Sequence, residues 1–433
     1  MAAKETHEVA LTPEDDFTDP LIFSRIRQIS PFSFFNPQNF KTLESCPPPV
    51  YIPLSKLNVQ RDLDLKSCLR DFEITENGEL KLINKDIIER QKGLFSDIAR
   101  QLTSSVLEGK SIVGLSLPVR IFEPRTQMER IVDLFHFLPY FGKLAAKESK
   151  IIDKIKWIGV MLIASLPHTT SQRKPFNPIL GETYQGVLDP DTQVYAEHIS
   201  HHPPISRYYI TNPYFKVYGS LTYNAQISPN TLLAYNEGWT TIEFNDGVKL
   251  KFSFPSAKIS GVLYGDRIVK TCFPAICFEE STKLKAVINI KGLPKKSFMG
   301  SIFGSRRGDE IHGEIYHYME DEHQNLNKMT WINMLKSQEN CLDRAVTLVE
   351  FAGNIFNEIR SDSELLFDNR KDYDKAFQQN YSPCPLPSDS RFREDLIWMF
   401  YGNEKFAQKW KVKLEEQQRY ERNLRMKNKN LKK

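Results

Sequence analysis

Long apolar runs, cysteine pairs and a signal core are missing from this chain of 433 residues. Its N-terminus has no apolar stretch of the kind that a secretory signal needs. The most apolar segment, residues 151–167, contains Asp153, Lys154 and Lys156 and is too short to cross a bilayer. The six cysteines form no CxxC pair, and reduced cytosolic thiols are their simplest explanation. We therefore expect a cytoplasmic protein that binds membranes peripherally.

A strong net charge and the common catalytic signatures are missing as well. The formal net charge of +4 is too small for a dedicated nucleic-acid binder, so no nucleic-acid partner is expected. The chain has no GxSxG nucleophile elbow, no GxxxxGK[ST] phosphate-binding loop and no Cys-x5-Arg phosphatase signature. It also has no HExxH motif and no Cys/His spacing typical of zinc sites. These absences argue against an enzyme and against a metal or another cofactor.

The positive charge that the chain does carry is concentrated near its C-terminus. Residues 405–433 contain eleven Lys and Arg side chains against three Glu. Such a basic segment suits an anionic surface, and a membrane is one candidate. A solvated helix that ends in a frayed basic tail is the alternative interpretation.

The first 170 residues change character twice. Residues 1–83 mix prolines with aromatic clusters, which predicts an irregular leader. Residues 84–108 place apolar side chains at helical spacing, which predicts one amphipathic helix that either docks on the core or acts as a movable lid. Residues 109–170 predict an extended segment followed by a helical subdomain between residues 128 and 167.

The pattern becomes that of a β protein after residue 170. Short runs of β-branched and aromatic residues, separated by turn signals, fill residues 171–335. One of them, residues 244–254, predicts a hairpin around an Asp-Gly turn. So many meandering strands predict a large antiparallel sheet that protects its edges by curling into a barrel. Residues 336–433 predict a C-terminal helical subdomain with a basic tail, whose first helix covers residues 346–359.

Two polar clusters in the middle of the chain carry the chemistry. KPFNPILGETY occupies residues 174–184, and EHISHHPP occupies residues 197–204. Adjacent histidines in a regular strand point to opposite faces, but the two prolines after them interrupt a regular ladder, so both can face one site. Two imidazoles beside a lysine can bind the oxygens of a phosphate monoester. A zinc site and a purely structural histidine pair are the alternatives.

These motifs resemble those of the oxysterol-binding-protein-related family. EHISHHPP is similar to the family fingerprint EQVSHHPP, with His198 in place of glutamine and Ile199 in place of valine. KPFNPILGETY matches without evident departure, and SDSRFRED at residues 388–395 resembles the family's DSRFRPD segment. Residues 411–419 resemble its terminal K-x-x-x-E-x-x-x-R helix. The four motifs occur in the family's order across most of the chain.

The resemblance implies an α+β, mainly β fold: a large near-complete antiparallel β-barrel that encloses a lipid tunnel, with an N-terminal lid and helical N- and C-terminal subdomains. It implies binding of phosphatidylinositol 4-phosphate, which the family exchanges for a sterol or phosphatidylserine between membranes. By family position, the residues that contact the headgroup are Lys174, Asn177, His201, His202, Lys411, Glu415 and Arg419. The helix over residues 84–108 takes the position of the lid, and the lid residues are Phe95, Ile98 and Leu102.

Several alternatives stay open at the level of sequence. Lys411, Glu415 and Arg419 fall on one helix face, a spacing that also describes an ordinary solvated salt-bridge ladder. His198 adds a titratable group beside the phosphate site, and its direction is undetermined. Sterol and phosphatidylserine are equally compatible with the motifs. A phosphoinositide sensor or regulatory scaffold would use the same pocket as a transfer protein. We expect a monomer in the cytoplasm, peripheral on anionic membranes and at membrane contact sites.

Overall fold

A computed structural model gives the fold of the chain and describes residues 52–94, 116–228, 230–291, 307–319, 329–339 and 346–431. The chain divides into two compact units, Gln60–Gln379, and Met1–Val59 together with Asn380–Lys433. Within the described ranges, no helix is both long enough and apolar enough to cross a membrane.

The larger unit, Gln60–Gln379, is built on an extended antiparallel sheet, and β3 and β4 form a separate parallel pair. Its strands are β1 (Phe72–Ile74), β2 (Leu80–Leu82), β3 (Phe122–Thr126), β4 (Lys174–Phe176), β5 (Thr183–Asp189), β6 (Thr192–His201), β7 (Pro204–Asn212), β8 (Phe215–Ser228), β9 (Thr231–Glu237), β10 (Thr240–Phe244), β11 (Lys249–Ser253), β12 (Ser256–Ser260), β13 (Ile268–Cys272), β14 (Ala275–Glu279), β15 (Leu284–Ile290), β16 (Glu310–His317), β17 (Val349–Asn354), β18 (Glu358–Ser361) and β19 (Glu364–Asp368).

The sheet branches at its longest strand. Strands β5 to β8 form a meander, and the 14-residue β8 then pairs with β10 along its first half and with β9 along its second half. One branch continues from β10 through β11, β14, β15, β16, β17 and β18 to β19. The other continues from β9 through β12, β13 and β2 to β1. The predicted mainly β, antiparallel fold is confirmed, whereas closure of the sheet into a barrel is not shown.

The larger unit also contains helices, most of which pack on this sheet. They are α1 (Lys85–Gln91), α2 (Gln127–Asp133), α3 (Leu138–Lys147), α4 (Ile151–Ala164) and α5 (Trp331–Glu339), with single turns at Leu65–Cys68, Val119–Ile121, Leu166–Thr169 and Asp372–Lys375. Helices α2 to α4 fill the region between residues 128 and 167 for which the sequence predicts helices. Helix α4 is buried over most of its length and packs on β14 and β15. Helix α3 approaches β8 closely because Gly142 leaves room for the buried ring of Phe215.

The structure corrects the predicted irregular leader over its last residues. Strands β1 and β2 form a hairpin, and β2 continues the sheet by pairing with β13. Gly78 takes φ +73° in the connecting turn, the conformation that Asn-Gly pairs supply in tight turns. Asn77 and Gly78 were therefore an overlooked hairpin signal. Residues 1–51 lie outside the described residues.

The structure also corrects the continuous helix predicted over residues 84–108. Helix α1 begins after Asn84, whose side chain accepts hydrogen bonds from two backbone N–H groups of the first turn. It ends at Gln91, and Gly93 has φ +73°, a left-handed conformation that interrupts an α-helix. The predicted lid residues lie outside the described residues; they are Phe95, Ile98 and Leu102.

The helix predicted over residues 346–359 is wrong, because this segment forms β17 and the start of β18. Val349 and Phe351 alternate with exposed residues at the two-residue period of a strand. Gly353 has φ +126°, which no α-helix accommodates. The antiparallel sheet therefore extends beyond residue 335, to Asp368 at the end of β19.

The smaller unit combines residues from both sides of the larger one in the sequence. Its elements are a single helical turn at Leu54–Leu57, the short strand β20 (Asn380–Tyr381), a 3₁₀ turn at Ser390–Phe392, α6 (Glu394–Phe400) and α7 (Glu404–Leu431). The side-chain amide of Asn58 accepts a hydrogen bond from Tyr381 N at 2.7 Å and donates one to Tyr381 O at 3.2 Å. These two bonds join the N-terminal residues of the unit to its C-terminal part.

Candidate functional site

The larger unit contains a cavity of about 680 Å³, a volume typical of pockets for small organic ligands. Much of its wall is apolar and comes from helices and from the inner face of the sheet, including Ile121, Ile131, Leu134, Ile227, Leu232 and Val269. Polar groups that can bind an anion also line it, among them Lys174, Asn177, His198, His201 and His202. Four further cationic side chains of the lining were not predicted from the sequence, and they are Arg130, Arg173, Arg267 and Lys270. The cavity therefore suits an amphipathic molecule with an anionic group.

Lys174 is held at the cavity by three neighbours. Its Nζ donates hydrogen bonds to Asn177 Oδ1 at 2.6 Å and to Pro175 O at 3.0 Å. The same ammonium lies 4.7 Å from the ring centroid of Phe122 on the paired strand β3, within the range of a cation–π interaction. The positive charge of Lys174 therefore has a defined place in the wall of the cavity.

The turn that follows Lys174 is tied to strand β6. Within the turn, the carboxylate of the fully buried Glu182 accepts a hydrogen bond from Ile179 N at 2.8 Å. The backbone of Glu182 accepts a bond from His198 N, and the backbone of His198 accepts one from Gly181 N, both at 2.9 Å. The two motifs found in the sequence are thus neighbours in space. Glu182 contributes to this junction through both its side chain and its backbone.

A bulge in β6 determines which of its side chains face the cavity. Burial alternates along the strand up to His198, and the pairing with β7 then shifts register between His198 and Ser200. Without the shift, His198 and His201 would point to opposite faces, because they are three residues apart. With it, both line the cavity, while Ile199 is exposed.

His201 and His202 meet at the end of the hairpin between β6 and β7. His201 pairs with Pro204, and the peptide bond between His202 and Pro203 is cis. The two imidazole rings lie 4.8 Å apart between centroids and are inclined by 75°. Both side chains line the same cavity, as the sequence predicts for the histidine pair.

The sequence left the direction of the His198 side chain undetermined. In the structure this side chain points towards the cavity. It is fully buried, with Nδ1 3.0 Å from Ser206 Oγ and Nε2 3.3 Å from His201 Nδ1. The signal that predicts this direction is the alternation of Val194, Ala196 and His198, which places all three on one face of the strand.

Two buried hydroxyl groups lie elsewhere in the cavity wall. Burial raises the pKa of Tyr223 well above its ordinary value, and the Ser206 hydroxyl offsets part of that rise. The Oγ of Ser256 is buried and has no hydrogen-bond partner among the described residues. Both side chains line the cavity, so its otherwise apolar part can still hydrogen-bond to a ligand.

Helix α7 of the smaller unit carries the other predicted headgroup residues. Lys411 is buried and forms an ion pair with Glu415 one turn further along, and Arg419 is exposed. Lys411 and Glu415 therefore lie on one face of the helix, as their spacing in the sequence predicts. The assignment of these three residues to a headgroup stays a prediction.

The SDSRFRED motif forms two buried ion pairs within the smaller unit. Arg391 donates to Asp389 Oδ1 at 3.0 Å, and Arg393 donates to Asp395 at 3.1 and 2.8 Å. All four side chains are nearly or fully buried. The geometry of this motif indicates a role in the fold of the unit.

Metal chemistry gains no support from the described part of the chain. No group of three or more His, Cys, Asp or Glu side chains there is arranged to hold a metal ion. The sheet, the apolar cavity and its basic groups instead define the general class of a binding protein for an amphipathic anion. The chain belongs to the oxysterol-binding protein family, because the model of that family matches residues 101–433.

Curated relatives agree with this assignment. Oxysterol-binding protein 9 of Dictyostelium discoideum is 28% identical over 349 residues, which cover 79% of this chain and 78% of that protein. Human oxysterol-binding protein-related protein 8 is 28% identical over 237 residues, which cover 53% of this chain and 26% of that protein. The chain thus corresponds to about a quarter of the second, longer relative.

Solved structures share the fold. The Osh3 ORD of Saccharomyces cerevisiae in complex with PI(4)P has a TM-score of 0.55 and 20% identity, and the match covers 77% of this chain and 84% of that one. The Osh1 ORD domain in complex with ergosterol has a TM-score of 0.57 and 18% identity, with coverage of 80% and 90%. Both likenesses concern the fold.

Proposed function

We propose that the protein binds phosphatidylinositol 4-phosphate and exchanges it for a second lipid, a sterol or phosphatidylserine, between membranes. The observation that carries this proposal is the cavity that combines apolar walls with Lys174, Asn177, His201 and His202. The fold neighbours were solved with PI(4)P and with ergosterol, which supports both kinds of ligand for this chain.

The basic groups suit a phosphorylated headgroup. Lys174 supplies a positive charge, and each imidazole can donate a hydrogen bond to a phosphate oxygen. Asn177, already bonded to Lys174, keeps that charge in the wall of the cavity. Lys411, Glu415 and Arg419 belong to this proposal as further headgroup residues, on the strength of the sequence resemblance alone.

The apolar walls suit the rest of a lipid. Moving acyl chains from water into an apolar cavity is favourable by about 0.8 kcal/mol per methylene. A protein that extracts such a molecule must contact the bilayer directly, because exposing the chains to water would cost the same amount. A near-complete barrel with a tunnel, and a lid that carries Phe95, Ile98 and Leu102, are part of the proposal.

A sterol is the second lipid that one buried group favours. Ser256 places a hydroxyl in the cavity wall that has no partner among the described residues. A buried hydroxyl without a partner costs free energy that a ligand's own hydroxyl would recover. Phosphatidylserine is the alternative, because other polar side chains of the same lining, such as Asn236 and Lys270, can serve its carboxylate and amine.

A two-liposome transfer assay tests the proposal. Donor vesicles contain phosphatidylinositol 4-phosphate, acceptor vesicles contain a sterol or phosphatidylserine, and movement of each lipid is followed in both directions. We expect transfer by the unaltered chain and its loss in the double variant His201→Ala with His202→Ala. His317→Ala is the matched control, because His317 is exposed and lies outside the cavity.

The outcomes separate transfer from its alternatives. Unchanged extraction by the double variant would remove the histidine pair from the site. Extraction without delivery would leave a phosphoinositide sensor or scaffold in place of a transfer protein. Release of inorganic phosphate from the lipid would instead indicate an enzyme.

A further inference from the structure

His198 is enclosed by polar partners on both edges of its ring. Its Nδ1 lies 3.0 Å from the hydroxyl of Ser206, which is fully buried and directly opposite on β7. Its Nε2 lies 3.3 Å from Nδ1 of His201, and the two rings are inclined by 84°. A hydrogen-bonded chain therefore runs from Ser206 through His198 to His201. Such chains are strong in a low-dielectric interior, and breaking one leaves buried polar atoms unsatisfied.

The number of protons available to Ser206, His198 and His201 determines which group donates and which accepts in each of these hydrogen bonds. A neutral imidazole has one N–H donor and one acceptor nitrogen. If neutral His201 donates its Nε2–H to a phosphate oxygen, its Nδ1 must accept. Nε2 of His198 must then carry the proton that it donates to that Nδ1. Nδ1 of His198 is left as an acceptor for the hydroxyl proton of Ser206, so every donor meets an acceptor and no group needs a charge.

We propose that His198 is a positioning residue that holds His201 as the Nε2–H tautomer and aims that donor at the anionic headgroup. This proposal takes its ligand, a phosphate monoester on a lipid, from the proposed function. Because His198 acts through His201 and does not contact the ligand itself, the glutamine that the family has at this position can also hold His201 in this tautomer. A glutamine amide likewise offers both a donor group and an acceptor group.

The test compares His198→Gln with His198→Leu. Glutamine keeps a donor for His201 and an acceptor for Ser206, and leucine fills space without either. Binding of soluble short-chain phosphatidylinositol 4-phosphate to the full chain is measured by calorimetry. We expect His198→Gln to bind within about threefold of the unaltered chain and His198→Leu to bind about tenfold more weakly, the usual effect of one lost hydrogen bond at a charged ligand. His317→Leu, at an exposed position, is the control.

The tautomer of His201 is measured directly by nitrogen–proton NMR on histidine-labelled protein, with the His201 signals identified by their absence in His201→Ala. We expect Nε2–H as the dominant form in the unaltered chain and in His198→Gln. In His198→Leu both tautomers should be populated. Ser206→Ala gives the same test if the leucine variant fails to fold, because it removes the donor that fixes His198.

The possible results distinguish a positioning role of His198 from a packing role. A mixed tautomer and weaker binding in His198→Leu, both restored by glutamine, support the positioning role. An unchanged tautomer in both His198→Leu and Ser206→Ala overturns it, as does a doubly protonated His201 in the bound state at neutral pH. Equal losses with leucine and glutamine overturn it too, since packing of the imidazole would then be the cause. If the unaltered chain binds no phosphatidylinositol 4-phosphate, the proposed function fails, and the tautomer of the unliganded protein alone decides the role of His198.

Discussion

At the scale of residues, the bulge at Ile199 gives the site its composition. Three histidines that a regular strand would divide between two faces lie around one cavity. Lys174 and Asn177 reach the same wall from another strand and the turn after it. The chemistry of the cavity therefore depends on single positions in two short motifs, and single substitutions can test it.

Replacing Lys174 with methionine should weaken phosphatidylinositol 4-phosphate binding about tenfold or more, because hydrogen bonds to charged groups contribute about 1.5–3 kcal/mol. Methionine keeps much of the apolar stem that packs near Phe122 and removes the ammonium group together with its hydrogen bonds to Asn177 and Pro175. Vesicle flotation with and without the lipid measures the effect. Lys336→Met, at an exposed site on α5, is the control. Equal affinity for Lys174→Met and Lys336→Met would exclude Lys174 from the headgroup site.

Replacing Ser256 with alanine should reduce sterol binding about threefold to tenfold, because it removes one hydrogen-bonding hydroxyl from an apolar wall. Phosphatidylinositol 4-phosphate binding should change little if its headgroup lies at the histidines. Competition between a fluorescent sterol and unlabelled lipid measures both affinities. A loss of phosphatidylserine binding with sterol binding intact would identify the other second lipid.

At the scale of elements, close contacts and buried ionisable groups decide where the helices of the larger unit lie. A single buried carboxylate illustrates this for α2. Arg125 donates to both oxygens of Asp133 at 2.8 and 2.7 Å, and Arg130 donates to it at 2.9 Å. Burial raises the pKa of Asp133, but Arg125 and Arg130 outweigh it and hold that pKa well below its ordinary value. The helix is thereby fixed through charge as well as through apolar packing.

Replacing Gly142 with alanine should destabilise the protein by about 1–3 kcal/mol, the usual cost of overpacking a core. A Cβ at this position would lie 2.6 Å from the buried ring of Phe215, which has no room to move aside. Chemical denaturation measures the free energy of unfolding. Gly159→Ala on α4 is the comparison, because its nearest contact is the terminal methyl of Ile288 at 2.9 Å. A larger loss at Gly159 would contradict this account of α3.

Replacing His168 with glutamine should flatten the stability of the protein between pH 7.5 and 5. Burial, assisted by the neighbouring His136, lowers the pKa of His168 from 6.5 to about 4. The unfolded chain therefore binds a proton at a pH where the fold does not, and stability falls as the pH drops from about 6.5 towards 4. The contribution is about 2 kcal/mol at pH 5.

Denaturation at a series of pH values checks this expectation. The variant should be less stable at pH 7.5, because it loses the contact between His168 and Leu63 O at 3.0 Å. Its further loss between pH 7.5 and 5 should be smaller than that of the unaltered chain. Parallel curves would show that another group titrates.

At the scale of the whole molecule, ligand binding should appear as stability. A ligand at one hundred times its dissociation constant adds about 2.7 kcal/mol to the free energy of unfolding. Short-chain phosphatidylinositol 4-phosphate should therefore raise the melting temperature of the unaltered chain by several degrees. Calorimetry measures the shift. The double variant His201→Ala with His202→Ala should show none, and phosphatidylinositol without the 4-phosphate should stabilise neither.

The sequence predicted the family, the mainly β fold and four residues that line one cavity, because the two central motifs are local and each carries its own chemistry. It left the direction of His198 open, although the alternation with Val194 and Ala196 indicates it. It did not predict the bulge at Ile199 that brings His201 to the same face as His198, since one extra residue reverses the face of every residue after it. Residues 346–359 have apolar positions that fit both a helix and a strand, and their pairing with β16 decides between them. The branching at β8 depends on contacts between distant strands, which no local pattern encodes.

The pairing of strand β8 affects how the sheet opens locally. Its first half is bonded on both sides by β7 and β10, and its second half by β9, so one continuous backbone is shared by two arms of the sheet. Opening either arm leaves the other arm still bonded to it. Backbone amides of residues 215–219, which are paired on both sides, should therefore exchange with deuterium only in the rarest, most complete openings. The second half, which forms a wall of the cavity at Tyr223 and Ile227, pairs with β9 alone in the described part of the chain. Its amides should exchange sooner, so the cavity wall can loosen at this end while the point where the two arms join stays bonded.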